Sequence, residues 1–172
     1  GARRINEIFY ESLNFFKKQN LRIVHIIGEN NFSGYVKTKY NNYIQKKFTN
    51  QIASLMQHCD LVISRSGAGT INELIQTGKP SILIPYPNSK NNHQEKNAMI
   101  LSSIGGSILI DQDKISKVFF EETLKRIFKL KLKGDQPKYE ILDLMKKNMK
   151  NLNCLKSSNE IEKLINYFLK EF

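Results

Sequence analysis

Two stretches of this 172-residue chain carry residue types whose spacing suits binding chemistry. The first runs Cys59-Asp-Leu-Val-Ile-Ser-Arg-Ser-Gly-Ala-Gly-Thr-Ile-Asn-Glu-Leu-Ile-Gln-Thr-Gly-Lys-Pro80. A strand pattern ends at Ser64, Gly67 and Gly69 permit a tight turn, and a helix pattern opens near Thr70. Backbone N–H groups at such a helix start, aided by the helix dipole, suit an anion or a polar ligand. Glycines there let the ligand approach the backbone with no Cβ in the way. Arg65 stands at the mouth of the loop, where its fork can meet a phosphate or a base carbonyl. Glu73 lies one turn into the helix, where a carboxylate can accept from two vicinal hydroxyls, as on a ribose. The same residues also fit a purely structural role, with two glycines shaping a strand–helix turn and a charge at the helix start. The pattern is not the dinucleotide Gly-x-Gly-x-x-Gly, which needs a third glycine, nor a Walker loop, which needs Gly-Lys-Ser/Thr.

The second stretch is Ile82-Leu-Ile-Pro-Tyr-Pro-Asn-Ser-Lys-Asn-Asn-His-Gln-Glu-Lys-Asn-Ala98. It reads as a strand, a proline-stiffened loop and a helix capped by Asn91 or Asn92. Parallel strands joined by right-handed crossovers send both loops out of the same carboxyl edge. His93, Gln94 and Asn97 are therefore expected at the same crevice as Arg65, Gly69 and Glu73. Amide and imidazole groups suit sugar hydroxyls, which need donors and acceptors in pairs. Together the two loops point to a nucleotide-sugar crevice.

The elements that must position these residues alternate along the chain. Helical periodicity covers 3–18, 52–58, 70–76, 92–103, 117–130, 138–149 and 158–171. Short β-branched runs at 21–27, 61–64, 81–84 and 107–110 read as strands. Residues 29–48 read as a loop region with a short strand or helix inside it. Strands separated by helices imply βαβ units, so the fold expected is one α/β domain, a Rossmann-like parallel sheet with helices on both faces. The chain opens on Gly1 and enters a helix at once, as though cut within a first strand–loop–helix unit, which leads us to expect a longer protein.

Composition sets the outer bounds. Lys and Arg exceed Asp and Glu by 27 to 16, a formal net charge of +11. Lysine outnumbers arginine 22 to 5, beside 18 Asn and 21 Ile, a bias that adenine- and thymine-rich codons produce without selection for phosphate binding. Most of the excess is therefore read as a solvated lysine surface, and no nucleic-acid partner is expected. No apolar run approaches the roughly 20 residues of a membrane span. Cys59 and Cys154 lack disulfide-framework and metal-ligand spacing, and neither a metal nor a cofactor is expected. His25, inside a strand pattern, reads as a packed core histidine, and His58 and Cys59 as structural.

Asp60-Leu-Val-Ile-Ser-Arg-Ser-Gly-Ala-Gly-Thr-Ile-Asn-Glu73 and Asn92-His-Gln-Glu-Lys-Asn-Ala98, with the opening Gly1-Ala-Arg-Arg-Ile-Asn6, resemble the donor-binding half of the MurG-like family of bacterial N-acetylglucosaminyltransferases. The resemblance implies one half of a GT-B architecture, in which two Rossmann-like domains face each other and the C-terminal one holds UDP-GlcNAc. It places Ala68, Gly69, Thr70, Ile71, Asn72 and Glu73 against the nucleotide, with Glu73 on the ribose. Arg65 would stand near the nucleotide, and His93 and Gln94 on the GlcNAc hydroxyls with Asn97 alongside. Phe48-Thr-Asn-Gln-Ile52 sits where the family reads uracil with its backbone, so Thr49 is the candidate there, although the family's usual Phe-Ile-Asp-x-Met is absent. The resemblance implies an inverting transfer of GlcNAc to a lipid-linked muramoyl-pentapeptide in peptidoglycan synthesis, at the cytoplasmic face of the cell membrane. It names no catalytic residue in these positions, and this chain alone is expected to bind donor without catalysing. The rival expectations are a stand-alone donor-binding subunit of a split two-chain transferase and a basic nucleic-acid-binding domain.

Overall fold

The computed structural model describes residues 2–29, 36–128 and 140–154, with side chains through Leu152. In chain order the elements are α1 (Arg3–Glu11), α2 (Leu13–Lys18), β1 (Ile23–Ile26), β2 (Tyr43–Lys46), α3 (Ile52–His58) and β3 (Val62–Ser64). They continue as α4 (Ala68–Thr77), β4 (Ser81–Leu83), α5 (His93–Ser103), β5 (Ser107–Leu109), α6 (Lys117–Phe128) and α7 (Glu140–Cys154). Among the described residues all strand pairing is parallel, as βαβ units require: β1 lies beside β2, and β4 lies between β3 and β5. The helical pattern at 158–171 lies outside the described residues. Among the described residues no helix is long and apolar enough to cross a membrane.

The chain divides into two compact units. The first comprises Gly1–Ile52 and Ile115–Lys138. Its core is aromatic, with the Phe9 ring 5.5 Å from Phe16 and 5.6 Å from Phe120. Phe16 and Phe120 are fully shielded from solvent, and each such side chain stabilises by about 2–3 kcal/mol. The amphipathic run expected over 3–18 is present but interrupted. Ser12, at φ −95° and ψ 7°, ends α1, and its N–H is shared between the Ile8 and Phe9 carbonyls at 3.1 and 3.2 Å. The loop region expected over 29–48 does contain a short strand, β2.

His25 is the packed histidine that the strand pattern implied. It is buried between Phe9, Tyr10 and Tyr43. Asn6 Nδ2 donates to the Ile27 carbonyl at 3.0 Å, which turns Asn6 Oδ1 toward the ring. His25 Nε2 then carries the proton and donates to that oxygen at 2.9 Å, while Nδ1 accepts from the Tyr43 hydroxyl at 2.6 Å. Burial lowers the imidazole pKa from 6.5 to about 4, so the ring is neutral near pH 7.

The second unit comprises Ala53–Lys114 and Tyr139–Phe172 and carries the three-stranded sheet. Its register runs Val62 to Ser81 to Ser107 at one end and Ser64 to Leu83 to Leu109 at the other. β4 is buried along its length, as a central strand covered on both faces must be. Helix α4 closes on Gly78 at φ 63°, the left-handed conformation that lets Lys79 N–H bond back to the Leu74 carbonyl at 3.1 Å. Lys79 Nζ reaches the Gln57 and Cys59 carbonyls at 2.9 and 3.1 Å. Cys59 is half-buried, and burial pushes its thiol pKa up, which fits a structural residue. His58 donates from Nδ1 to the Ser54 carbonyl at 2.8 Å.

Helix α7 passes so close to the start of β5 that a side chain at Gly106 has no room. A Cβ there would stand 2.3 Å from Met149 Sδ, and Met149 is fully buried. Gly106→Ala is expected to destabilise the chain by about 1–3 kcal/mol through overpacking. Urea melts check this, and the cost of Gly106→Ala should shrink when measured on a Met149→Ala background, where the added methyl enters space that the truncation vacates.

Candidate functional site

The carboxyl ends of β3, β4 and β5 gather the candidate residues of the second unit. Because the three strands are parallel and in register, Arg65, Pro85 and Gln112 all leave the same edge. Helix α4 begins at Ala68, two residues earlier than its sequence pattern indicates, so Gly69 lies inside the first turn. Gly67 holds the cap position with extended backbone and no side-chain cap bond, and its carbonyl accepts the first helical bond from Ile71 N–H at 3.0 Å. The amides of Ala68, Gly69 and Thr70 precede that bond and meet no protein acceptor among the described residues.

Nothing in the fold requires glycine at positions 67 and 69. A Cβ built on either meets no atom within 4 Å, and φ at Gly67 is an ordinary −62°. The open space lies over an uncapped helix start, where three N–H groups and the dipole favour negative charge.

Arg65 is half-buried and held on several sides. Its Nη1 donates to the Ile84 and Pro85 carbonyls at 2.9 and 2.8 Å, and its Nη2 donates to Gln112 Oε1. Its Cζ lies 5.6 Å from the centre of the Tyr86 ring. Burial pushes the guanidinium pKa down, but an arginine side chain does not lose its proton in a folded protein, so the cation is retained. Arg65 is thus a fixed positive charge at the strand ends.

The start of α5 is tied to the same loop. Ser66 Oγ donates to the Gln94 carbonyl at 2.6 Å, and Asn97 Nδ2 donates to the Ser66 carbonyl at 3.0 Å. Gln94 Oε1 accepts from Tyr86 N–H at 2.9 Å. Gln94 and Asn97 therefore do sit with Arg65, but part of their hydrogen-bonding capacity fastens the two loops together. His93 is exposed, and its ring makes no hydrogen bond among the described residues. Glu73 is half-buried on the first turns of α4. Ile71 is buried, and Asn72 Oδ1 accepts from Gln76 Nε2 at 3.3 Å along the helix surface.

Asn92, one of the two expected caps, holds the cap position of α5, but not with its side chain. Neither Asn91 nor Asn92 makes a side-chain cap bond; Ser89 Oγ takes the Gln94 N–H at 3.3 Å instead. The two asparagines contribute their backbones, at φ 50° and 55°, a left-handed conformation that asparagine tolerates better than most residues. Thr49 belongs to the first unit, where its Oγ1 accepts from Gln51 N–H at 3.1 Å ahead of α3. Ser66, Tyr86, Ser89 and Gln112 have no signature in the sequence, since their roles depend on the partners the fold gives them.

The profile of the glycosyltransferase family 28 C-terminal domain matches residues 1–163. The chain belongs to this family. It is 81% identical over its whole length to an enzyme of Prochlorococcus marinus subsp. pastoris named UDP-N-acetylglucosamine--N-acetylmuramyl-(pentapeptide) pyrophosphoryl-undecaprenol N-acetylglucosamine transferase. It is 78% identical, again over its whole length, to the protein of the same name from Prochlorococcus marinus strain MIT 9515. The chain spans about half the length of these relatives, 47% of each. The crystal structure of Acinetobacter baumannii MurG superposes with a TM-score of 0.66 at 19% identity, covering 99% of this chain and 49% of that one. That likeness shows the fold, parallel sheets with helices as in GT-B glycosyltransferases. In this family 28 domain Arg65, Gln94 and Asn97 are tied together at the strand ends.

Proposed function

We propose that this chain is the UDP-GlcNAc-binding domain of an inverting N-acetylglucosaminyltransferase that acts on a lipid-linked muramoyl-pentapeptide in peptidoglycan synthesis. One observation carries the reading. Three unengaged amides at Ala68, Gly69 and Thr70 lie under open space, in the same unit as a fixed Arg65 cation. Such an arrangement binds a diphosphate in the ground state. It also stabilises the charge that develops on a departing UDP, because the donors are oriented before reaction. Glu73 accepts from the ribose hydroxyls, and His93, Gln94 and Asn97 face the sugar. The names of the relatives support the acceptor class, and their length, of which this chain spans 47%, leaves room for a portion that holds the acceptor. The whole protein is placed at the cytoplasmic face of the membrane as part of the same proposal.

Titration calorimetry with UDP-GlcNAc tests this. The wild-type chain is expected to bind. Glu73→Ala is expected to weaken binding about tenfold, the loss of hydrogen bonds to a charged acceptor. Absence of binding, or affinity untouched by the substitution, overturns the site.

A further inference from the structure

Among the described residues every acceptor around the Arg65 guanidinium is uncharged. Two are main-chain carbonyls, one is the Gln112 side-chain amide, and the flanking group is the Tyr86 ring. Acids stand on both sides of Gln112, yet among the described residues neither pairs with Arg65. Asp111 forms an ion pair with Lys114 at 3.5 Å and accepts the Asp113 N–H at 2.9 Å. A carboxylate in place of the amide would hold Arg65 at least as well. It would also cancel the positive charge.

We propose that Gln112 is a positioning residue for the donor site, an uncharged clamp that holds Arg65 against the Ile84 and Pro85 carbonyls while leaving its positive charge for the diphosphate. The clamp reaches the sugar side as well. Arg65 holds the Pro85 carbonyl, the next residue's N–H binds Gln94 Oε1, and the Gln94 carbonyl takes the Ser66 hydroxyl. Gln112, 47 positions from Arg65 in sequence, closes this chain of contacts across the ends of the three strands. The inference rests on the donor-site reading and deepens it.

Gln112→Glu is the decisive variant, because it is isosteric and can keep the bond to Nη2. The affinities of the full chain for UDP and for uridine are measured by calorimetry, and thermal melts are recorded for both forms. UDP affinity is expected to fall about tenfold, the scale of one nearby charge neutralised, with uridine affinity and the melt unchanged or improved. Unchanged UDP affinity, or equal loss for UDP and uridine, overturns the proposal. A wild type that binds neither probe overturns the donor-site reading itself, and the inference with it. Should Gln112→Glu fail to fold, Gln112→Ala carries the test. It keeps the charge but frees the turn, so the preference for UDP-GlcNAc over UDP is expected to narrow several-fold, and an unchanged preference overturns the proposal.

Discussion

Gly69→Leu is expected to abolish donor binding while leaving the fold intact or slightly firmer. A Cβ at this position meets nothing within 4 Å, so the larger side chain enters open space and displaces no protein atom. Gly69 lies in the first turn of α4, and leucine there restrains the unfolded chain more than glycine does. The folded state is therefore expected to gain about 0.5–1 kcal/mol. The same side chain covers the amides of Ala68, Gly69 and Thr70, and affinity for UDP-GlcNAc is expected to fall about a hundredfold or more, over 2.7 kcal/mol. Opposite signs for stability and affinity separate a ligand surface from a turn that merely needs glycine. Calorimetry and a urea melt on one preparation measure both, and a Gly69→Leu chain that binds normally removes the open space from the site.

The second large effect concerns pH and the first unit. His25 has an unfolded pKa of 6.5 and a folded pKa of about 4, so the folded state binds its proton less readily. Its stabilising contribution is complete above about pH 6.5, declines as pH falls, and is fully lost below about pH 4. Between pH 7 and pH 4.5 the change from this one group is about 2.5 kcal/mol. Protonation puts a second N–H on Nδ1, which now accepts from Tyr43, and a charge among Phe9, Tyr10 and Tyr43. His25→Phe should be less stable at pH 7, because the Tyr43 hydroxyl and Asn6 Oδ1 lose their partner, yet it should lack this part of the slope. Parallel slopes in urea melts of the two forms would remove His25 as the cause.

Much of this fold was legible in the sequence. The strand patterns at 61–64 and 81–84 and the helix at 52–58 fall on β3, β4 and α3, because β-branched runs and apolar spacing survive tertiary context. The start of α4 did not read correctly. Ala68 and Gly69 resemble a turn by composition, whereas an extended Gly67 allows the helix to begin immediately after it. The cap position at Asn92 was legible but not how it is held, since composition does not distinguish a side-chain acceptor from a left-handed backbone. Arg65 was legible as a cation at a loop mouth, but its engagement with Ile84, Pro85 and Gln112 was not. Those partners lie 19, 20 and 47 positions away, and only parallel register brings them together.

The paired left-handed asparagines have one further consequence. Positive φ at two consecutive non-glycine residues stores strain, which persists only where surrounding contacts hold it, here Ser89 Oγ on the Gln94 N–H and Gln94 Oε1 on the Tyr86 N–H. On the donor-site reading proposed above, the strain and ordering of this turn are met on folding rather than on binding. On that reading stability and affinity are coupled through two backbone angles: Asn91→Gly eases the strain of the first while freeing the turn that a ligand would then have to order.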